Sequence, residues 1–144
     1  MTALATERFR GGKNETWKHK QFTLAAGTKA YKGGRAAFDL ASSGFTKVVP
    51  ATSNANLMAI GIFDETVDAT AAAKLVQVDL EREIVLEWWA NATSTDAVAA
   101  TDVGKLCYMF DDQTVTITST GRSVSGRVWA VDPVKGVAVE KVVP

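Results

Sequence analysis

The sequence predicts an all-β protein, a small barrel or sandwich of about ten short strands with one short helix and an extended N-terminal arm. Three observations predict it. Apolar and polar residues alternate where Val76, Val78 and Leu80 flank Gln77 and Asp79, and again where Val115 and Ile117 sit among Thr114, Thr116 and Thr118. Turn formers recur between short apolar runs, at Gly33-Gly34, Ser42-Ser43-Gly44, Asp111-Asp112, Gly121 and Pro133. Helical periodicity is almost absent. With 144 residues, 47% of them hydrophobic, the chain can bury a core of ordinary size.

Residues 1–20 read as the arm. The stretch 6–20 is polar, contains Gly11 and Gly12, and shows no apolar repeat at 2.0 or 3.6 residues. Phe9, Trp17 and Phe22 are costly to leave in water, which favours docking of the arm on a partner over a frayed, solvated terminus. Strands are expected at 21–24, 35–40, 47–49, 57–63, 76–80, 83–89, 106–110, 114–118, 127–131 and 137–142, most of them β-branched or aromatic. The helix is expected at 96–103, capped by Ser94 or Thr95 and ended by Gly104. Residues 21–144 read as a single β-rich domain, with no visible internal repeat of 20 to 50 residues.

Sixteen basic and sixteen acidic residues give zero net charge, which argues against a globally basic nucleic-acid binder. That zero hides an asymmetry. Residues 1–35 carry eight basic and two acidic side chains, net +6, and the remainder carries −6. The longest apolar runs, 57–63 and 84–90, fall far short of the roughly 20 residues of a membrane-spanning helix. Residues 1–10 lack the apolar core of a secretory signal, so synthesis and retention in a reducing cytoplasm are expected.

Catalytic chemistry finds little support. One histidine, His19, lies between Lys18 and Lys20 with no carboxylate beside it in sequence, a poor general base. One cysteine, Cys107, lies in an apolar run and reads as a core residue, so no disulfide and no zinc cluster of nitrogen and sulfur ligands is expected. The stretch from Gly27 to Gly34 lacks the Gly-Lys-Ser/Thr ending of a phosphate-binding loop. Asp64, Glu65, Asp68, Asp111 and Asp112 match no calcium-loop spacing and read as solvated turns. The chain is therefore expected to be no enzyme, and to need no cofactor and no metal.

The aromatic residues say more. On a strand, Trp88 and Trp89 point to opposite faces, so one of them needs a cover from a second sheet or from another subunit. Arg8, Phe9, Arg10, Lys13, Trp17, Lys18 and Lys20 mix cations with rings, which suits contact with a partner surface. The same mixture suits nucleic-acid stacking, but the acidic body would repel a phosphate backbone.

Five segments in order, Phe22 to Gly27, Ala30 to Gly34, Met58 to Phe63, Thr101 to Tyr108 and Asp111 to Val115, resemble the head decoration, or capsid cement, proteins of tailed bacteriophages. The resemblance covers roughly residues 20–142. It implies a small β-rich, noncatalytic protein on the outer surface of the virion, bound to the major capsid protein of an expanded head, as a homotrimer or dimer. No contact with nucleic acid or membrane is implied. The capsid-contact candidates are Arg8, Phe9, Arg10, Lys13, Trp17, Lys18, Lys20, Trp88 and Trp89, chosen by charge and aromatic character.

Overall fold

The alternation that marks the strands also closes them on themselves. The computed structural model describes residues 19–42, 44–80 and 86–141. Twelve strands follow in chain order: β1 His19–Leu24, β2 Lys29–Ala30, β3 Arg35–Asp39, β4 Lys47–Pro50, β5 Leu57–Phe63, β6 Val67–Asp68, β7 Lys74–Asp79, β8 Leu86–Asn91, β9 Leu106–Met109, β10 Thr114–Thr116, β11 Val124–Asp132 and β12 Gly136–Glu140. Around the first closed barrel the order is β1, β4, β3, β5, β7; around the second it is β10, β8, β12, β11, β9; β2 and β6 form a separate two-stranded ribbon. The all-β expectation holds, with the strands shared between two barrels.

Inward residues of each barrel make its core. Leu24, Phe38, Val48, Ile60, Phe63, Val76 and Val78 fill the first, and Trp89, Val98, Cys107, Val115, Val128, Val137 and Val139 fill the second. Strand β3 is covered on both faces because its other side meets the second barrel. Ala36 and Phe38 enter the first core, while Ala37 joins Ala51, Leu57 and Met109 in a cluster at the seam. Past β12, the Lys141 ammonium crosses the seam to the carbonyls of Ile60 and Leu80, at 2.9 and 2.5 Å.

The two barrels repeat one wiring scheme. In the first, β1 runs parallel to β4 and antiparallel to β7, while β3 pairs with β4 and β5, and β5 closes on β7. In the second, β8 runs parallel to β10 and antiparallel to β12, while β9 pairs with β10 and β11, and β11 closes on β12. The correspondence extends to single residues: Ala36 opposes Gly61 just before a register shift, and Cys107 opposes Gly126 at the matching shift. A Cβ at Gly61 would overlap the Asp79 carbonyl oxygen, and one at Gly126 the Glu140 carbonyl oxygen, so glycine stands wherever the closing strand passes closest.

The expected helix at 96–103 does not form. In its place are two single 3-10 turns, Ser94–Asp96 and Ala100–Asp102, separated by extended backbone at Ala97 and Ala99. Tertiary bonding overrides the local signal. The Asn91 side chain donates to the Val98 carbonyl and accepts from the Val98 N–H, so both backbone groups that a helix would use are committed as Val98 enters the core. The short strands β2 and β6 were not expected from sequence, and β1 begins at His19, so the last two residues of the expected arm, His19 and Lys20, are strand.

Candidate interaction surface

An aromatic row crosses the outer face of the second barrel. On β8, Trp89 turns into the core and is 6% exposed, whereas Trp88 turns out and is 45% exposed. Ala138 of β12 lies directly opposite Trp88 and so faces outward with it. On its other side Ala138 opposes Ala130 of β11, at a bulge between Val128 and Ala130 that holds Trp129 as the extra residue. Such a bulge re-aims a side chain. Trp129 is 59% exposed, while Ala138, outward but flanked by the two tryptophans, is only 3% exposed. The two tryptophans are thus two strand spacings apart, about 10 Å.

The rim of the row is fixed by a turn. The Asp132 carboxylate accepts the N–H groups of Val134 and Lys135, both at 2.8 Å, and these bonds hold its carboxyl below the usual range. That turn sets the Lys135 ammonium 5.4 Å from the centroid of the Trp88 ring. Leu86 and Val134 extend the exposed apolar surface.

The sequence-derived candidates separate in space. Trp88 belongs to this face and Trp89 to the core beneath it. Lys20 is on the first barrel, with its ammonium 5.3 Å from the Phe22 ring. Arg8, Phe9, Arg10, Lys13, Trp17 and Lys18 lie outside the described residues. Trp129 was missed, although the pattern of 127–131 carries its signal: Val128 and Val131 both need the core, which strict alternation forbids without an extra residue.

A groove of about 440 Å³ runs along the seam, lined by Leu57, Ala59, Leu106, Arg122, Ser123 and Val124 among others. Its hydroxyls are tied to structure. Ser123 donates to the Asn54 carbonyl at 2.6 Å and accepts the Leu57 N–H at 2.9 Å, and Ser125 accepts from Arg35 at 3.3 Å. Burial pushes the Cys107 thiol up to about 11, which disfavours the nucleophilic thiolate at neutral pH. His19 does have a carboxylate partner in space: its Nδ1 lies 2.6 Å from Asp64 Oδ2, a pairing that adjacency in sequence could not reveal. With Asp79 this pair is the one group of metal-ligating side chains among the described residues. No protein-family model, curated protein or solved structure matches this chain.

Proposed function

We propose that the protein is a noncatalytic capsid decoration protein, docking on the major capsid protein at the outer surface of an expanded tailed-phage head and acting there as a symmetric homo-oligomer. The observation that carries this reading is the pair of exposed rings, Trp88 and Trp129, set on either side of Ala138 on a closed barrel. Two tryptophans about half exposed offer on the order of 250 Å² of aromatic surface. Covering it is worth up to about 6 kcal/mol before the cost of association. A single copy held so would bind modestly. Repetition over a shell makes many modest contacts effective, and binding that favours the assembled state over free subunits stabilises the shell by mass action. The basic residues of 1–18 would add contacts to the acidic or polar surface beside the docked barrel.

Co-sedimentation of the purified protein with expanded heads stripped of decoration tests the proposal, with unexpanded shells as comparison. Saturable binding selective for expanded shells is expected, weakened by Trp88→Ala or Trp129→Ala in a protein that still folds. Absence of binding at low and moderate salt overturns it, and salt-sensitive capture of single-stranded nucleic acid would replace it with a nucleic-acid-binding role.

A further inference from the structure

We propose that His19, Asp64 and Asp79 form a binding site for a divalent transition-metal ion of the Zn²⁺ type on the first barrel. Three elements deliver the ligands in fixed register. His19 of β1 lies directly opposite Asp79 of β7, so both side chains leave the same face of the sheet. Asp79 is also in register with Ile62 of β5, and Asp64 follows the end of β5, where its N–H donates to the Gln77 carbonyl at 2.9 Å. One imidazole nitrogen and two carboxylate oxygens then lie within 4.8 Å of one another.

The geometry is close to that of a bound ion. With metal–ligand bonds of about 2.1 Å, ligand atoms sit roughly 3 to 4 Å apart, so small side-chain rotations close the site. The donor set selects the metal class. An imidazole disfavours Mg²⁺ and Ca²⁺, which take oxygen ligands, and the lack of a thiolate in the set disfavours soft ions. The His19 and Asp64 side chains are 46% and 30% exposed, which leaves room for water to complete the coordination. On binding, the metal takes the Nδ1 lone pair, any proton shared between Nδ1 and Asp64 leaves to solvent, and the ring keeps its proton on Nε2.

The repeated wiring supplies an independent reason to single out this place. Matching the two barrels strand for strand sets His19 against Leu86, Gln21 against Trp88, Gln77 against Ala138, Asp64 against Trp129 and Asp79 against Glu140. Of the ligand group, Asp64 matches a member of the aromatic row, Trp129, while His19 and Asp79 match Leu86 and Glu140 at the next outward positions beside it. The group also spans the β5–β7 join, which among the described residues has two register pairs, Ile62 with Asp79 and Phe63 with Val78. An ion there would staple the barrel's closure at the start of β1.

The chain has one histidine, so its imidazole nitrogen resonances report a single site. Zn²⁺ titrated into the full, tag-free protein should shift the His19 Nδ1 resonance saturably and raise Tm, with Mg²⁺ doing neither. Asp79→Asn should weaken Zn²⁺ binding by about tenfold or more, as should His19→Gln followed by calorimetry. Should Asp79→Asn fail to fold, Asp64→Asn serves the same purpose. An unmoved Nδ1 resonance at millimolar Zn²⁺, or unchanged affinity in the folded carboxylate variant, overturns the proposal. Either result leaves the shell-binding reading untouched.

Discussion

The Arg35 guanidinium of the first barrel lies 4.4 Å from the centroid of the Trp89 ring of the second. Arg35 is 2% exposed. Its side chain donates to Ser125 at 3.3 Å, and its backbone N–H reaches the Asp112 carbonyl at 2.7 Å. A buried cation is costly unless its charge is met, and an aromatic face with hydrogen-bond acceptors meets it. One residue thus ties the barrels through both main chain and side chain.

Arg35→Ala should lower the unfolding free energy by about 2 to 4 kcal/mol through lost packing, the lost cation–ring contact and the lost hydrogen bond. Arg35→Met keeps the stem volume and should cost less. Urea-induced unfolding measures both, and a loss below about 0.5 kcal/mol for the alanine variant would show that Arg35 does not tie the seam.

Trp89→Ala should cost about 3 to 5 kcal/mol, as an emptied core position does. Trp89→Phe should be milder, because the indole Nε1 has no hydrogen-bond partner among the described residues and nothing is lost with it. Trp88→Ala and Trp129→Ala should each cost under about 1 kcal/mol in stability while weakening shell binding. Equal loss of folding for Trp88→Ala and Trp89→Ala would place both rings in the core.

Gly61→Ala and Gly126→Ala should be comparably damaging, each about 3 kcal/mol or more, because in both cases the new methyl meets backbone that cannot rotate away. Thermal unfolding of the two variants checks this. A tolerated alanine at one site alone would mean that the two barrels do not share the close approach.

Asp102 gives the fold an acid-sensitive point. Its carboxylate accepts the Ala99 N–H at 2.8 Å and pairs with the Lys105 ammonium at 3.1 Å, and these partners, the first foremost, hold its carboxyl below the usual range. A pKa lower in the folded than in the unfolded state stabilises the fold above the unfolded value, and that stabilisation disappears as pH falls through the folded value. Asp102→Asn should therefore cost about 1 kcal/mol at pH 7 and flatten the loss of stability below about pH 4. Urea midpoints from pH 7 to pH 2.5 measure it, and an identical acid slope in the variant would remove Asp102 as the source.

Strands were legible wherever one face is buried and the other wet, as at Val76 and Val78, since period two is then written in the residues themselves. The partition into two barrels was not, because it depends on which strand closes on which. The repeat escaped notice because matched positions share burial and backbone geometry without sharing identity, as the buried Ala36 and Cys107 show at equivalent ladder places. The helix at 96–103 was misread because its caps are local and the Asn91 bonds that undo it are not. Alternation alone set Trp88 and Trp89 on opposite faces, but which of them points outward needed the closed barrel. Trp129 needed the bulge, and the grouping of His19 with Asp64 and Asp79 needed the closed barrel.

Two barrels with one wiring scheme but unlike patches make the chain a directed object. Had both copies kept the same patch, the protein could settle on a repeating surface in two opposite senses with similar energy. An oily pair of rings on one copy, and on the other Gln21 and Asp64 at the matching places with His19 and Asp79 beside them, remove that ambiguity. Heads and tails are then distinguished by chemistry without any difference in fold between the halves, which under the proposed shell binding would give each docked copy a single sense of alignment.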